Sequence, residues 1–210
     1  MLTLSTHAVQ HSGMIETTKA RLVAAASDLL DAGGQGAVTL RAVGEVVGVS
    51  HNAPYRHFRD RSALLAAVAE RDFDGLRQAF QAKADDPRDA RSSLWGAVLV
   101  MIAYARQHPA RYRLLFSDPD LISPNSASVD GNLHVAAFGS FQAFAAIVRQ
   151  CQSDGSLRPI ETARLTGLIH ATLHGAIDLE LGGRAKEAKG LGSIEATMDL
   201  LLDLLAQPGA

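Results

Sequence analysis

The stretch GVSHNAPYRHFRDRSALL, Gly48 to Leu65, gathers most of the side chains in this chain that could do chemistry. His51, Asn52, Tyr55, Arg56, His57, Arg59 and Arg61 crowd together with one carboxylate, Asp60, among them. A reactive loop, a metal site and a surface that grips a polyanion all use such residues. Taken at helical spacing, the stretch needs no nucleophile and base. Gly48 is a turn residue, Ser50 a helix cap, Phe58 an apolar wedge, and the polar residues form one outward edge with basic flanks. Asn52 suits a bidentate contact to adenine, Arg56 one to guanine, and the Ala53 methyl a thymine methyl, each bidentate contact discriminating by about 1–3 kcal/mol. His51 stands beside them at the start of the same turn. Thr39 and Ser50 can cap helices and contact phosphate at once; Arg41, Tyr55, His57 and Arg61 complete the candidate DNA-contacting set.

The elements that must position this edge are helical. Alternating β-branched runs are nearly absent, while apolar residues recur at three- and four-residue spacing. Leu22, Ala26, Leu29 and Leu30 predict a first helix over about 17–32, ended by Gly33, Gly34 and Gly36. Thr39 caps a short second helix carrying Leu40, Val43 and Val47. Ser50 caps a short third, and Asp60 a long fourth whose buried stripe is Leu65, Ala69, Phe73, Leu76 and Phe80. Two short helices joined at Gly48, with a helix packed across them, make a helix-turn-helix, whose second helix enters the DNA major groove.

Further along, helices are predicted from Leu94, Val98, Ile102 and Ala105, from Pro109 through Tyr112, Leu115 and Phe116, and from Phe138, Phe141, Ala145 and Val148. Two more follow at 165–181 and 194–205. Ser117 to Gly131 is the one extended loop, a candidate lid. Residues 1–13 carry no apolar periodicity and are expected to be a disordered arm, with Met14 a second possible start. The division expected is therefore arm 1–13, helix-turn-helix domain 14–62, and a larger helical domain 63–210. The fold class is all-α.

With 210 residues, 47% apolar and 20% charged, the chain can bury a real core. The net charge of −2 means that any nucleic-acid surface must be local. The apolar stretches fall short of the roughly 20 residues a spanning helix needs, and no export signal is visible, so the cytoplasm is the expected location. Cys151 is the only cysteine, which excludes an intrachain disulfide and predicts a core or interface thiol.

Trp95, Met101, Tyr104, Phe116, Phe138, Phe141 and Phe144 can line an apolar ligand pocket between helices, with a filled core as the alternative. His170 and His174 have the i, i+4 spacing of a metal pair, yet the intervening residues hold no glutamate and no third ligand is suggested. They are assigned to the pocket or to the core, with no metal and no cofactor. His7 and His11 share the spacing on the expected arm.

Val38 to Val68, VTLRAVGEVVGVSHNAPYRHFRDRSALLAAV, resembles the DNA-binding region of the TetR-type bacterial transcriptional regulators. The likeness rests on Thr39 opening the second helix, Gly44 against the turn, GVS, Tyr55, Phe58 and the Leu64–Leu65 pair. HPARYRLLF at 108–116 and HG at 174–175 resemble C-terminal motifs of a subgroup. Three positions depart from the family pattern: Pro54 where leucine or another helix former is usual, Gly44 for alanine, and Arg61 for lysine.

The resemblance implies a dimeric repressor that binds a palindromic double-stranded DNA operator and is released by a small-molecule effector. Its two-fold interface would use Leu165, Leu168, Thr172 and Ile177 with Ile194, Met198, Leu201 and Leu205. Two readings of other classes stay open: a small helical metal-assisted hydrolase built on His170 and His174, and an adaptor that keeps the helical dimer but binds protein.

Overall fold

The computed structural model describes residues 17–85, 89–118 and 131–207. The expected arm, Met14, the His7–His11 pair and nearly all of the Ser117–Gly131 loop lie outside these residues. Among the described residues the chain is all-α, and its only extended pairing is one antiparallel bridge between Leu157 and Ala206.

Side chains start most of these helices where the sequence places them. Helix α1 (Thr18–Gly33) begins as Thr17 Oγ1 accepts the Ala20 N–H at 3.2 Å. Thr39 does the same for α2 (Leu40–Val47) with Ala42 at 3.0 Å, and Asp60 for α3 (Arg61–Ala84) with Ala63 at 2.8 Å. Each cap satisfies an amide that the first helical turn leaves without a carbonyl. Helix α2 stops at Gly48, whose φ of 73° and ψ of 33° put it in the left-handed region that a side chain disfavours. Then follow α4 (Ala90–Gln107), α5 (Pro109–Ser117) with proline in its first turn, α6 (Gly131–Ser153), α7 (Thr162–Leu181) and α8 (Ile194–Leu205).

The long α3 carries the core. Leu65, Ala69, Phe73, Leu76 and Phe80, the stripe read from the sequence, are all buried along it. Phe80 meets Phe144 of α6 edge-on at 5.5 Å between centroids, and Phe73 meets Phe116 of α5 at the same separation. Such pairs contribute about 0.5–1.5 kcal/mol beyond the area they bury. Helix α6 corrects one expectation, since its 23 residues are long and apolar enough to cross a membrane by length and composition. Its apolarity has another outlet: Leu133, Ala136, Phe144, Ile147 and Val148 face α3 and α4 and are buried there.

The apolar face expected to meet a second copy is corrected in part, since Leu168 of that set is exposed and Thr172 and Leu201 are half-buried. Leu165, Ile177, Ile194, Met198 and Leu205 are buried within the protomer's own core. The residues that α7 and α8 turn outward are Leu168, Leu200 and Leu204, at 48%, 63% and 63% exposure. Helical spacing alone cannot tell which of two apolar stripes the protomer uses.

Candidate nucleic-acid interface and interior polar clusters

Helix α1 packs against both α2 and α3, and three contacts set their geometry. The Arg21 guanidinium donates to the Val47 carbonyl at 2.8 Å, tying α1 to the end of α2. Arg61 donates from Nε to the Val38 carbonyl at 2.8 Å and from Nη2 to the Gln35 carbonyl at 2.5 Å, joining the start of α3 to the α1–α2 connection. Phe58 is buried as the wedge under this corner, with the Lys19 ammonium 5.9 Å from its ring centroid.

The third helix expected after Ser50 is not an α-helix. Residues 51–53 form a turn and Pro54–Arg56 a single 3-10 turn, closed by the Phe58 and His57 amides on the Pro54 carbonyl at 3.0 Å. Ser50 contributes its backbone carbonyl, which accepts the Ala53 N–H at 2.9 Å. The reason is Pro54, which brings no N–H and so cannot extend a regular helix through this point. Its buried ring packs on Gly44 of α2, where an added Cβ would lie 2.9 Å from Pro54 Cγ. Two departures from the family pattern are thus one packing solution: the proline ring occupies the space that an alanine methyl would fill.

The segment divides sharply into an inside and an outside. Pro54 and Phe58 point inward, while His51, Asn52, Tyr55, Arg56 and His57 are exposed and Ala53 is half-buried. His51 and Tyr55 stand edge to face at 5.8 Å, forming an aromatic corner on the outer surface. Beside it Arg41, Gly44, Glu45, Val49 and His51 line a groove of about 320 Å³. Arg41 pairs with Glu45 at 2.9 Å in solvent, a contact open to exchange for a stronger anion. Thr39 is exposed at the α2 N-terminus while its side chain caps that helix. Arg61, expected as a phosphate clamp, is exposed and holds the chain's own carbonyls through Nε and Nη2.

Two polar clusters sit in the helical body. In the first, Tyr112 Oη lies 2.6 Å from His174 Nδ1, and His174 Nε2 lies 3.0 Å from His170 Nε2. We assign the protons so that the Tyr112 hydroxyl donates to His174, which donates to His170; the reverse order leaves the tyrosine hydrogen without an acceptor. Phe116 and Phe141 flank these imidazoles at 4.3 and 5.4 Å between ring centroids, with Phe144 at 6.5 Å. Burial drives the His174 pKa down to about 3, helped by His170 beside it, lowers that of His170 and raises that of Tyr112. All three groups are neutral at neutral pH. Among the described residues no three His, Cys, Asp or Glu side chains converge as a metal site.

The second cluster centres on Asp72, a carboxylate on the buried side of α3. It accepts from the Tyr104 hydroxyl at 2.8 Å and from Arg111 through both Nε, at 2.8 Å, and Nη2. Arg111 Nη1 extends to Asp31 of α1 at 3.3 Å, and His108 Nδ1 is 2.8 Å from the same Asp31 oxygen. Burial alone would lower the Arg111 pKa; the Asp72 contacts outweigh it and raise the value. The Tyr104 hydroxyl is pushed up by burial first and by Asp72 second. One guanidinium thus links α1, α3 and α5.

Residues 22–68 match the family described as bacterial regulatory proteins, tetR family, and residues 94–205 match the tetracyclin repressor-like C-terminal domain. The chain belongs to the TetR family of bacterial transcriptional regulators. A search of curated proteins returns no match. Among solved structures this TetR-family regulator is similar to a protein of unknown function from Rhodococcus sp. RHA1, with 27% identity, TM-score 0.75, and coverage of 94% of this chain and 100% of that one. It is also similar in fold to a TetR-family regulator from Shewanella sp. PV-4, with 19% identity, TM-score 0.61 and coverage of 90% and 98%. RolR in complex with resorcinol shares the fold at 16% identity, TM-score 0.63 and coverage of 90% and 88%.

Within this TetR-family chain, the residues expected to line a pocket separate into groups. Phe116, Phe141, His170 and His174 come together with Tyr112 and Phe144. Tyr104 belongs instead to the Asp72 cluster, and Met101 is buried in the core. Trp95 is partly buried against the core. Phe138 is 64% exposed and lines no interior space. Sequence reasoning missed Asp31, Asp72, Arg111 and the hydroxyl of Tyr112. Asp72 carried a legible signal, since of the carboxylates at 70, 72 and 74 it alone stands at helical spacing from both Ala69 and Leu76 of the buried stripe.

Proposed function

We propose that this TetR-family regulator is a repressor that binds a palindromic DNA operator as a homodimer and lets go when a small molecule enters its helical body. The observation that carries the reading is the two-sided segment 51–58: Pro54 and Phe58 anchor it, and His51, Asn52, Tyr55 and Arg56 are left outside at one corner. A surface with amide, guanidinium, imidazole and phenol groups beside a capped helix start suits base edges and phosphate together. In the unit taken as 14–62, Asn52 and Arg56 read bases, His51 and Ala53 support them, and Thr39, Arg41, Ser50, Tyr55 and His57 hold the DNA backbone.

Dimerisation is supported by Leu168 of α7 and Leu200 and Leu204 of α8, large apolar side chains left exposed on two helices that pack together. Two copies related by a two-fold axis would present their reading corners to major grooves about 34–36 Å apart. The effector reading is supported by the Tyr112–His174–His170 chain, a neutral polar group set among phenylalanine rings, which suits an uncharged aromatic ligand. RolR, a structural neighbour, holds resorcinol.

Selection of bound sequences from random DNA tests the reading. An inverted repeat should emerge, and Asn52→Ala with Arg56→Ala should abolish the preference while Leu200→Asp should yield monomers that bind at least tenfold more weakly. Recovery of unselected sequences at moderate salt would refute it.

A further inference from the structure

We propose that the open groove between α3 and α4 binds an amphipathic carboxylate, at a place separate from the aromatic cluster around His174. The groove measures about 420 Å³, within the roughly 300–1,000 Å³ typical of small-molecule sites. Leu76 and Ala79 of α3 and Val100 and Ala103 of α4 form its apolar walls. The groove is open at Gly75 of α3, where an added Cβ would meet nothing within 4 Å.

Its charged groups select the sign of the ligand. The Asp72 carboxylate at the floor already accepts from Tyr104 and from two nitrogens of Arg111, so it has little to offer a cation. Arg111 Nη1 is less committed, reaching Asp31 and His108 only at 3.3 Å, against 2.8 Å from Nε to Asp72. Arg71 lies exposed on the rim. The charge of Arg111 is balanced by Asp72, so the exposed Arg71 guanidinium supplies the cation and the loosely held Arg111 Nη1–H a second donor; with the aliphatic trough beyond them they match a carboxylate head with an apolar tail. The aromatic cluster, whose polar groups are neutral, offers such a head no cation.

Calorimetric titration of the full-length protein with decanoate, and with decanol as the uncharged control, tests the assignment. Decanoate should bind about tenfold more tightly than decanol, the difference expected of a charge-assisted contact. Arg71→Ala should weaken decanoate severalfold and leave decanol unchanged. Ala103→Trp, at an exposed position, should fill the trough and abolish binding of both, with circular dichroism showing the fold intact. His170→Ala should leave decanoate affinity unchanged. The proposal is overturned if decanoate fails to bind up to its solubility limit, if decanol binds equally well, or if Ala103→Trp binds decanoate like the parent. Because the readout needs no DNA, its failure is distinct from failure of the repressor reading.

Discussion

Gly44 and Pro54 should be energetically coupled, and a double-mutant cycle measures by how much. In the folded chain a methyl at position 44 would sit 2.9 Å from Pro54 Cγ and 3.6 Å from Cδ, where ordinary contact begins near 3.4 Å. The ring is buried and fused to the backbone, so it cannot yield as the end of a flexible side chain would. Alanine in place of glycine gains about 0.5–1 kcal/mol inside a helix. Forcing a methyl into a filled contact costs about 1–3 kcal/mol. Gly44→Ala alone should therefore be neutral to about 2 kcal/mol destabilising. With Pro54→Ala the Cγ is gone, and the same change should become stabilising by up to about 1 kcal/mol. The two backgrounds differ by a coupling of roughly 1–3 kcal/mol, well above the roughly 0.5 kcal/mol scatter of independent sites. Urea unfolding of the four proteins, followed by far-ultraviolet circular dichroism, gives the number directly. A coupling below about 0.5 kcal/mol would show that the ring and the α2 backbone do not compete for one space, and the account of the irregular reading segment would fall with it.

Breaking the Asp72–Arg111 pair from one side strands a charge that is almost fully buried, with side-chain exposures of 3% and 14%. Arg111→Met should cost about 3–5 kcal/mol in chemical unfolding, and Asp72→Leu with Arg111→Met should recover much of that loss; equal cost for single and double variants would contradict the pairing. His174 titrates near 3 in the folded chain against an ordinary 6.5, so between those values the unfolded chain binds more protons and stability falls as pH falls. From pH 7 to pH 5 this residue should remove about 2 kcal/mol, and His174→Gln should flatten that part of the stability profile. Cys151 is fully buried, its thiol donates to the Ala90 carbonyl, and burial pushes its pKa up to about 12. A thiol reagent at pH 8 should modify it only at the rate of unfolding, and modification at the rate of a free thiol would place it elsewhere.

Most helix positions, and the outward placing of His51, Asn52, Tyr55 and Arg56, were legible because their determinants are local. Thr17, Thr39 and Asp60 cap the helices next to them, Gly48 ends one, and the stripe from Leu65 to Phe80 repeats at helical spacing. Two features were hidden because they depend on contacts distant in sequence. The proline at 54 reads as an irregularity until Gly44, ten residues earlier, supplies its seat. The polar clusters join residues up to 80 positions apart, Asp31 with Arg111, and no spacing rule reports such a meeting. Apolar faces were ambiguous for a related reason: Leu165 and Leu168 look alike in sequence, and only the neighbouring helices decide that one is interior and the other outward.

The grip of Arg61 on the Gln35 and Val38 carbonyls makes α3 a lever whose short end is welded to the DNA-reading unit. Twenty-four residues at 1.5 Å each give it a length of about 36 Å. A tilt of about 5° around its far end would carry the reading corner about 3 Å sideways, the order of one base-pair step along a duplex. Two such levers in a dimer would move their corners in opposite senses, so a shift at the distal end too small to disturb core packing would put the pair out of register with successive grooves.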